Sequence, residues 1–170
     1  MDLYVSCSTG AHHDRLAGPR QRRRAMGERV ILRGAAMFDG TGQASRRGVA
    51  VVVEGDRIAA VEREGDIGEP ASARTVDLTG CTLLPGLIDL HVHIGFGGHA
   101  PGHHPASVAL RAARNVRTTL LAGITTLRDV GTLDAIVIAL RDAVERGDVP
   151  GSRIAAAELG EHHRRWARIP

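Results

Sequence analysis

The chain of 170 residues is 43% apolar and 24% charged, a globular composition in which no run approaches the roughly 20 apolar residues that a membrane-spanning helix needs. All 22 basic residues are arginine, and the formal charge of +3 is local: residues 1–25 hold Arg15, Arg20, Arg22, Arg23 and Arg24 against Asp2 and Asp14, while the remainder is neutral, which argues against a nucleic-acid-binding surface. With Cys7 and Cys81 far apart and Cys81 in an apolar run, a reduced core thiol is expected rather than a disulfide framework.

The opening stretch, MDLYVSCSTGAHHDRLAGPRQRRRA, places its basic cluster after a mildly apolar start and has no h-region, so it does not read as a secretory signal and the cytoplasm is the default compartment. Residues 1–25 read as a disordered basic tail, with Met26 as the natural start. From Met26 to Leu84 short β-type runs follow one another. GVAVVVEGDRIAAVE is two strands joined by Gly55-Asp56, a two-residue hairpin signal. TVDL-TG-CTLL suggests a second hairpin, so residues 26–84 are expected to be a small antiparallel β-domain.

At Pro85 the pattern changes. GLIDLHVHI is a strand-like run, and PASVALRAARNVRTTLLAG repeats apolar residues at Ala109, Ala112, Val116 and Leu120, the spacing of a helix. Pro105 suits its first turn and Gly123 the residue past its end. ITTLRDV is a short β-branched run. TLDAIVIALRDAVERG puts Leu133, Ile136, Val137, Leu140 and Val144 on one stripe, with Thr132 as N-cap and Gly147 just past the C-terminus. RIAAA then reads as another strand. The order βαβαβ over residues 85–157 implies α/β architecture with a parallel sheet.

In a strand, residues i and i+2 share a face, with Cα atoms roughly 6.6 Å apart. His91 and His93 therefore project side by side at the carboxyl end of the strand that opens the βα series, where the sites of parallel α/β proteins lie. Two imidazoles so placed can converge on one divalent ion, and Asp89, on the same face, can orient a ligand from behind. The pair alone is also what ordinary surface or core histidines look like. Its context, a buried strand after Pro-Gly, favours the metal, because buried polar rings need partners.

The run LLPGLIDLHVHIG resembles the first barrel strand of the amidohydrolase superfamily, whose pattern is Pro-Gly-x-Ile-Asp-x-His-x-His. The stretch around VEGDRIAAV is similar to that family's N-terminal composite β-domain. ARNVRTTLLAGITTLRDVG resembles the first helix and second strand of its imidazolonepropionase-like and dipeptidase-like branch. The resemblance implies a small composite β-domain followed by the first βα units of a (β/α)8 TIM-like barrel. It implies one or two divalent ions, zinc in the usual case, that activate water against an amide, cyclic amide or dipeptide C–N bond. On this resemblance His91 and His93 match metal ligands. Asp129 matches the Asp of a Thr-Thr-x-Arg-Asp stretch, with a supporting place near the site, and reads equally as an Asp closing a strand before a glycine turn.

The family's site also takes a bridging lysine or acidic ligand, two later histidines and a catalytic aspartate. A full barrel takes about 250 residues, and this chain has no lysine and 86 residues from Pro85 onward. No catalytic residue is therefore assigned. Residues 158–170 are expected to be a non-homologous tail, left by a frameshift or premature stop, so that His162 and His163 are not taken as ligands. His99, His103 and His104 fall in a loop that covers the site in the family. The implied partner is a small amide or dipeptide substrate, with no nucleic acid and no membrane, and a homo-oligomer is left open for a full-length parent. The alternative reading is an inactive truncated fragment with at most weak metal binding.

Overall fold

The computed structural model describes residues 3–7, 29–68, 72–95, 104–131 and 135–156. They fall into two compact units, Met1–Gly86 and Leu87–Pro170.

Among the described residues the first unit is β apart from one 3-10 turn, Glu64–Asp66. Strands β1 (Leu3–Cys7), β7 (Cys81–Pro85) and β3 (Ala36–Met37) form one sheet in the order β1-β7-β3. Strands β5 (Arg57–Arg63), β4 (Val49–Glu54), β2 (Arg29–Arg33) and β6 (Arg74–Asp77) form another in the order β5-β4-β2-β6. The expected hairpin is present: β4 and β5 pair antiparallel across Gly55-Asp56, and Gly55 takes φ +58°, as such a turn requires. β2 and β4 are apolar on both faces. Val30, Leu32 and Val51 pack with Met37, Leu78, Cys81 and Leu83 on one side, while Ile31, Ala50 and Val52 pack with Ile67 on the other. Each fully buried Val or Ile contributes about 1.5–3 kcal/mol.

Four expectations are corrected here. TVDL-TG-CTLL is not a hairpin, for β6 pairs parallel with β2 while β7 lies in the other sheet between β1 and β3. The reason is burial. Leu78 and Cys81, on either side of the Thr-Gly pair, both enter the core, and Asp77 Oδ1 accepts from the Thr79 N–H and hydroxyl at 2.9 and 2.6 Å, turning the chain from one sheet to the other. For the same reason the unit is mixed, with β3 also running parallel to β7. Within the segment read as a tail, Leu3–Cys7 is a strand paired antiparallel with β7, because LYVSC is β-forming and β7 offers it an edge. Cys81, expected as a reduced thiol, is disulfide-bonded, and Cys7 is its register partner across the β1–β7 ladder.

The second unit alternates strand and helix: β8 (Leu87–Val92), α1 (Pro105–Leu121), β9 (Ile124–Asp129), α2 (Ile136–Arg146) and β10 (Arg153–Ala156). The sheet is parallel, in the order β10-β9-β8. α1 starts with Pro105 behind an N-cap at His104, and Gly123 beyond its end has φ +90°. α2 closes on Gly147 in the left-handed region, as glycine allows. Thr132, expected to cap α2, lies outside the described residues. Ala112, Val116, Val137, Leu140 and Val144 pack with Ile94, Leu127 and Ile154 between the helices and the sheet.

Strand β8 departs from its expected burial. Leu87, Ile88 and Leu90 are 46%, 63% and 64% exposed. Among the described residues β8 pairs with β9 alone, so its outer edge and much of its surface are uncovered. The apolar stripe of α2 is covered, with Val137, Leu140 and Val144 all buried.

Candidate metal centre at the end of strand β8

The carboxyl ends of β8 and β9 lie side by side, Val92 opposite Asp129 in the ladder, and the Val130 N–H donates to the Val92 carbonyl at 3.0 Å. This brings His93, Ile94, Asp129 and Gly131 together. His91 is exposed on the last turn of pleat in β8, and His93 is half-buried just past the strand. Their ring centroids are 5.5 Å apart and their planes meet at 79°. Two imidazoles each about 2.0–2.1 Å from one tetrahedral ion have centroids roughly 5 Å apart, so the pair is already spaced for a shared ligand position.

The nitrogen that would face such an ion follows from hydrogen bonding. His93 Nδ1 lies 2.7 Å from the Gly131 carbonyl oxygen. A carbonyl only accepts, so Nδ1 carries the proton and Nε2 the lone pair. Asp89 is half-buried, and its Oδ1 accepts from the His91 main-chain N–H at 3.1 Å. Asp129 is fully buried: Oδ2 accepts from the Ile94 N–H at 2.7 Å and Oδ1 from the Gly131 N–H at 2.9 Å. From α1, Asn115 donates its Nδ2 hydrogen to the Ile94 carbonyl at 2.9 Å.

Sequence reasoning missed Gly131 and Asn115. Asn115 had a signal, a polar residue one position before the buried Val116 of the helix stripe, whereas Gly131 looked like an ordinary turn residue. His104, grouped with the loop histidines, caps α1, its Nδ1 accepting from the Ala106 N–H at 3.2 Å. His99 and His103 lie outside the described residues, as do His162 and His163. Among the described residues no three His, Cys, Asp or Glu side chains cluster as a complete metal site. The donor set thus fits two ligands of a divalent ion. The first unit has a groove of about 400 Å³ walled by residues such as Phe38, Ile58 and Leu83, with Asp39 and Arg46 among its polar groups. None of the residues predicted for the site lines it.

Comparison with known proteins adds an independent line. The family model described as "Amidohydrolase family" matches residues 82–167, about half of the chain, and so runs past Ala157 into the stretch expected to be unlike the family. An imidazolonepropionase from Anaeromyxobacter dehalogenans (strain 2CP-C) is 42% identical over 69 residues, which is 39% of this chain and 15% of that protein. A D-aminoacylase from Alcaligenes xylosoxydans xylosoxydans is 39% identical over 64 residues, 38% of this chain and 12% of that protein. Among solved structures, a Xaa-Pro dipeptidase with bound methionine in its active site superposes with a TM-score of 0.70 at 30% identity, over 76% of this chain and 33% of that one. The chain thus spans a third or less of each of these relatives.

Proposed function

Since the chain belongs to the amidohydrolase family, we propose that it carries the first-strand portion of a metal-dependent hydrolase site acting on amide, cyclic amide or dipeptide C–N bonds. His91 and His93 would hold the ion, with zinc as the expected metal. The observation that carries this reading is the pair itself: two imidazoles at 5.5 Å centroid separation on the carboxyl end of a parallel strand, one with its Nδ1 proton committed to a main-chain carbonyl. When bound, a divalent ion there supplies a nucleophilic water at neutral pH and a Lewis acid for the scissile carbonyl. The protein's own part is to present the two imidazoles at the strand end, the His93 ring held by its bond to the Gly131 carbonyl and the His91 main chain braced by Asp89. The names of the relatives, an imidazolonepropionase, a D-aminoacylase and a Xaa-Pro dipeptidase, favour small amide-type substrates.

A second reading concerns the 170-residue chain alone. With two ligands and no third among the described residues, it holds metal weakly and does not turn over. Both readings meet in one experiment. Zinc titration by calorimetry is expected to show weak binding that His91→Ala and His93→Ala abolish, and assays on N-acyl amino acids, dipeptides and cyclic amides with added zinc are expected to show no turnover. Tight stoichiometric zinc surviving both substitutions would overturn the assignment of the pair. Zinc-dependent turnover lost in His91→Ala would overturn the second reading and leave the first.

A further inference from the structure

The two histidines are not equal. His91 is exposed, and the described contact nearest to it is a main-chain hydrogen bond to Asp89. His93 is bracketed from two elements. Its ring donates to the Gly131 carbonyl. The peptide that follows it is held at both ends: the Ile94 N–H by Asp129 Oδ2 and the Ile94 carbonyl by Asn115 Nδ2.

One side chain joins these contacts. Asp129 grips the residue after His93 with one oxygen and the Gly131 N–H with the other, at 2.7 and 2.9 Å. The Gly131 backbone, at φ +150°, turns its own carbonyl back to the ring, a conformation that L side chains disfavour. Burying a carboxylate completely is expensive, and here both oxygens are spent on main-chain N–H groups on either side of the gap between the β8 and β9 ends.

Resting on the metal-site reading above, we propose that Asp129 is the positioning residue for His93: acting through the Gly131 peptide, it fixes the imidazole in the Nδ1–H tautomer and so keeps Nε2 as the lone-pair nitrogen before any metal arrives. His91, lacking such a clamp, is the ligand that adapts. A partner of this kind for a ligating histidine changes metal affinity by about 10–100-fold.

The test uses the whole metal-free chain, labelled with 15N, and reads each ring by long-range 1H–15N correlation. His93 is expected almost wholly in the Nδ1–H form, and His91 in the mixture of tautomers usual for an exposed histidine. Asp129→Asn, which retains the shape but only one acceptor oxygen, and Gly131→Ala, which retains the carboxylate but strains the turn, are each expected to move His93 towards the Nε2–H form. Each should weaken zinc binding by about 10–100-fold. Arg128→Ala, on the exposed neighbour, should change neither. If His93 in the unaltered chain is in the Nε2–H form, or stays Nδ1–H in both folded variants, the positioning role is wrong; where a variant does not fold, the tautomer of the unaltered chain decides. If the tautomer behaves as expected while zinc binds without His93, the positioning role stands and the metal-site reading fails.

Discussion

Asp39 shows how local contacts set the properties of a single residue. Its carboxyl is held below the ordinary carboxylate value, first by the Thr41 hydroxyl at 2.6 Å, then by the Thr41 N–H at 3.0 Å, with the Arg46 guanidinium adding to the effect from 3.3 Å. A folded-state value below the unfolded one means that the stabilisation is present above the unfolded value of about 3.9 and is lost as pH falls through the lowered folded value. Thr41→Val should raise the Asp39 midpoint towards the ordinary value in a 13C carboxyl titration, and an unmoved midpoint would remove Thr41 as the cause. Ser152 is the buried counterpart, fully enclosed, with its hydroxyl donating to the Ile124 carbonyl at 2.6 Å and lying 2.9 Å from Thr119 Oγ1. Ser152→Ala removes a buried donor and is expected to destabilise by about 1–3 kcal/mol, read from urea unfolding. At this scale the proposed metal ligands were named from H-x-H on a strand, a spacing that fixes a shared face. Asp89 and Asp129 were named as supports, but Gly131 and Asn115 were not, because Gly131 meets His93 across 38 residues of chain and Asn115 meets Ile94 across 21.

Among the elements, α1 and α2 were the most readable, since helical periodicity is a local property and the buried residues Ala112, Val116, Val137, Leu140 and Val144 repeat it. Leu140→Ala should cost about 2–5 kcal/mol by leaving a cavity. Leu110→Ala, at a position 75% exposed on α1, should stay within about 0.5 kcal/mol. Equal effects at the two sites in urea unfolding would show that the helices pack on other faces. Apart from β1, the strands of the first unit were recognised as strands but not assigned to their sheets. Nothing in TVDLTGCTLL distinguishes a hairpin from a chain changing sheets, because the choice depends on where Leu78 and Cys81 are buried, and that is set by β2, β3 and β4. β1 was hidden for a related reason: five β-forming residues beside an arginine-rich stretch become a strand only because β7 has an edge to offer.

For the whole molecule, the decisive feature is β8, the strand that leads into the histidine pair and also carries Leu87, Ile88 and Leu90 at the margin of its sheet. An uncovered apolar edge strand promotes association. The double substitution Ile88→Thr with Leu90→Thr, which retains β-branching at 88 and introduces it at 90, should raise the soluble fraction and the concentration at which light scattering appears. Unchanged scattering would place the adhesive surface elsewhere.

The same strand has a consequence for the life of the chain in a cell. Chaperones and proteases act on polypeptides that display apolar segments, and here such a display is present in the folded unit as well as in its unfolded form. Turnover of this polypeptide would then follow the exposure of Leu87–Leu90 more closely than its melting temperature. A pulse-chase half-life lengthened by the double substitution, at unchanged thermal stability, is the outcome that β8 implies.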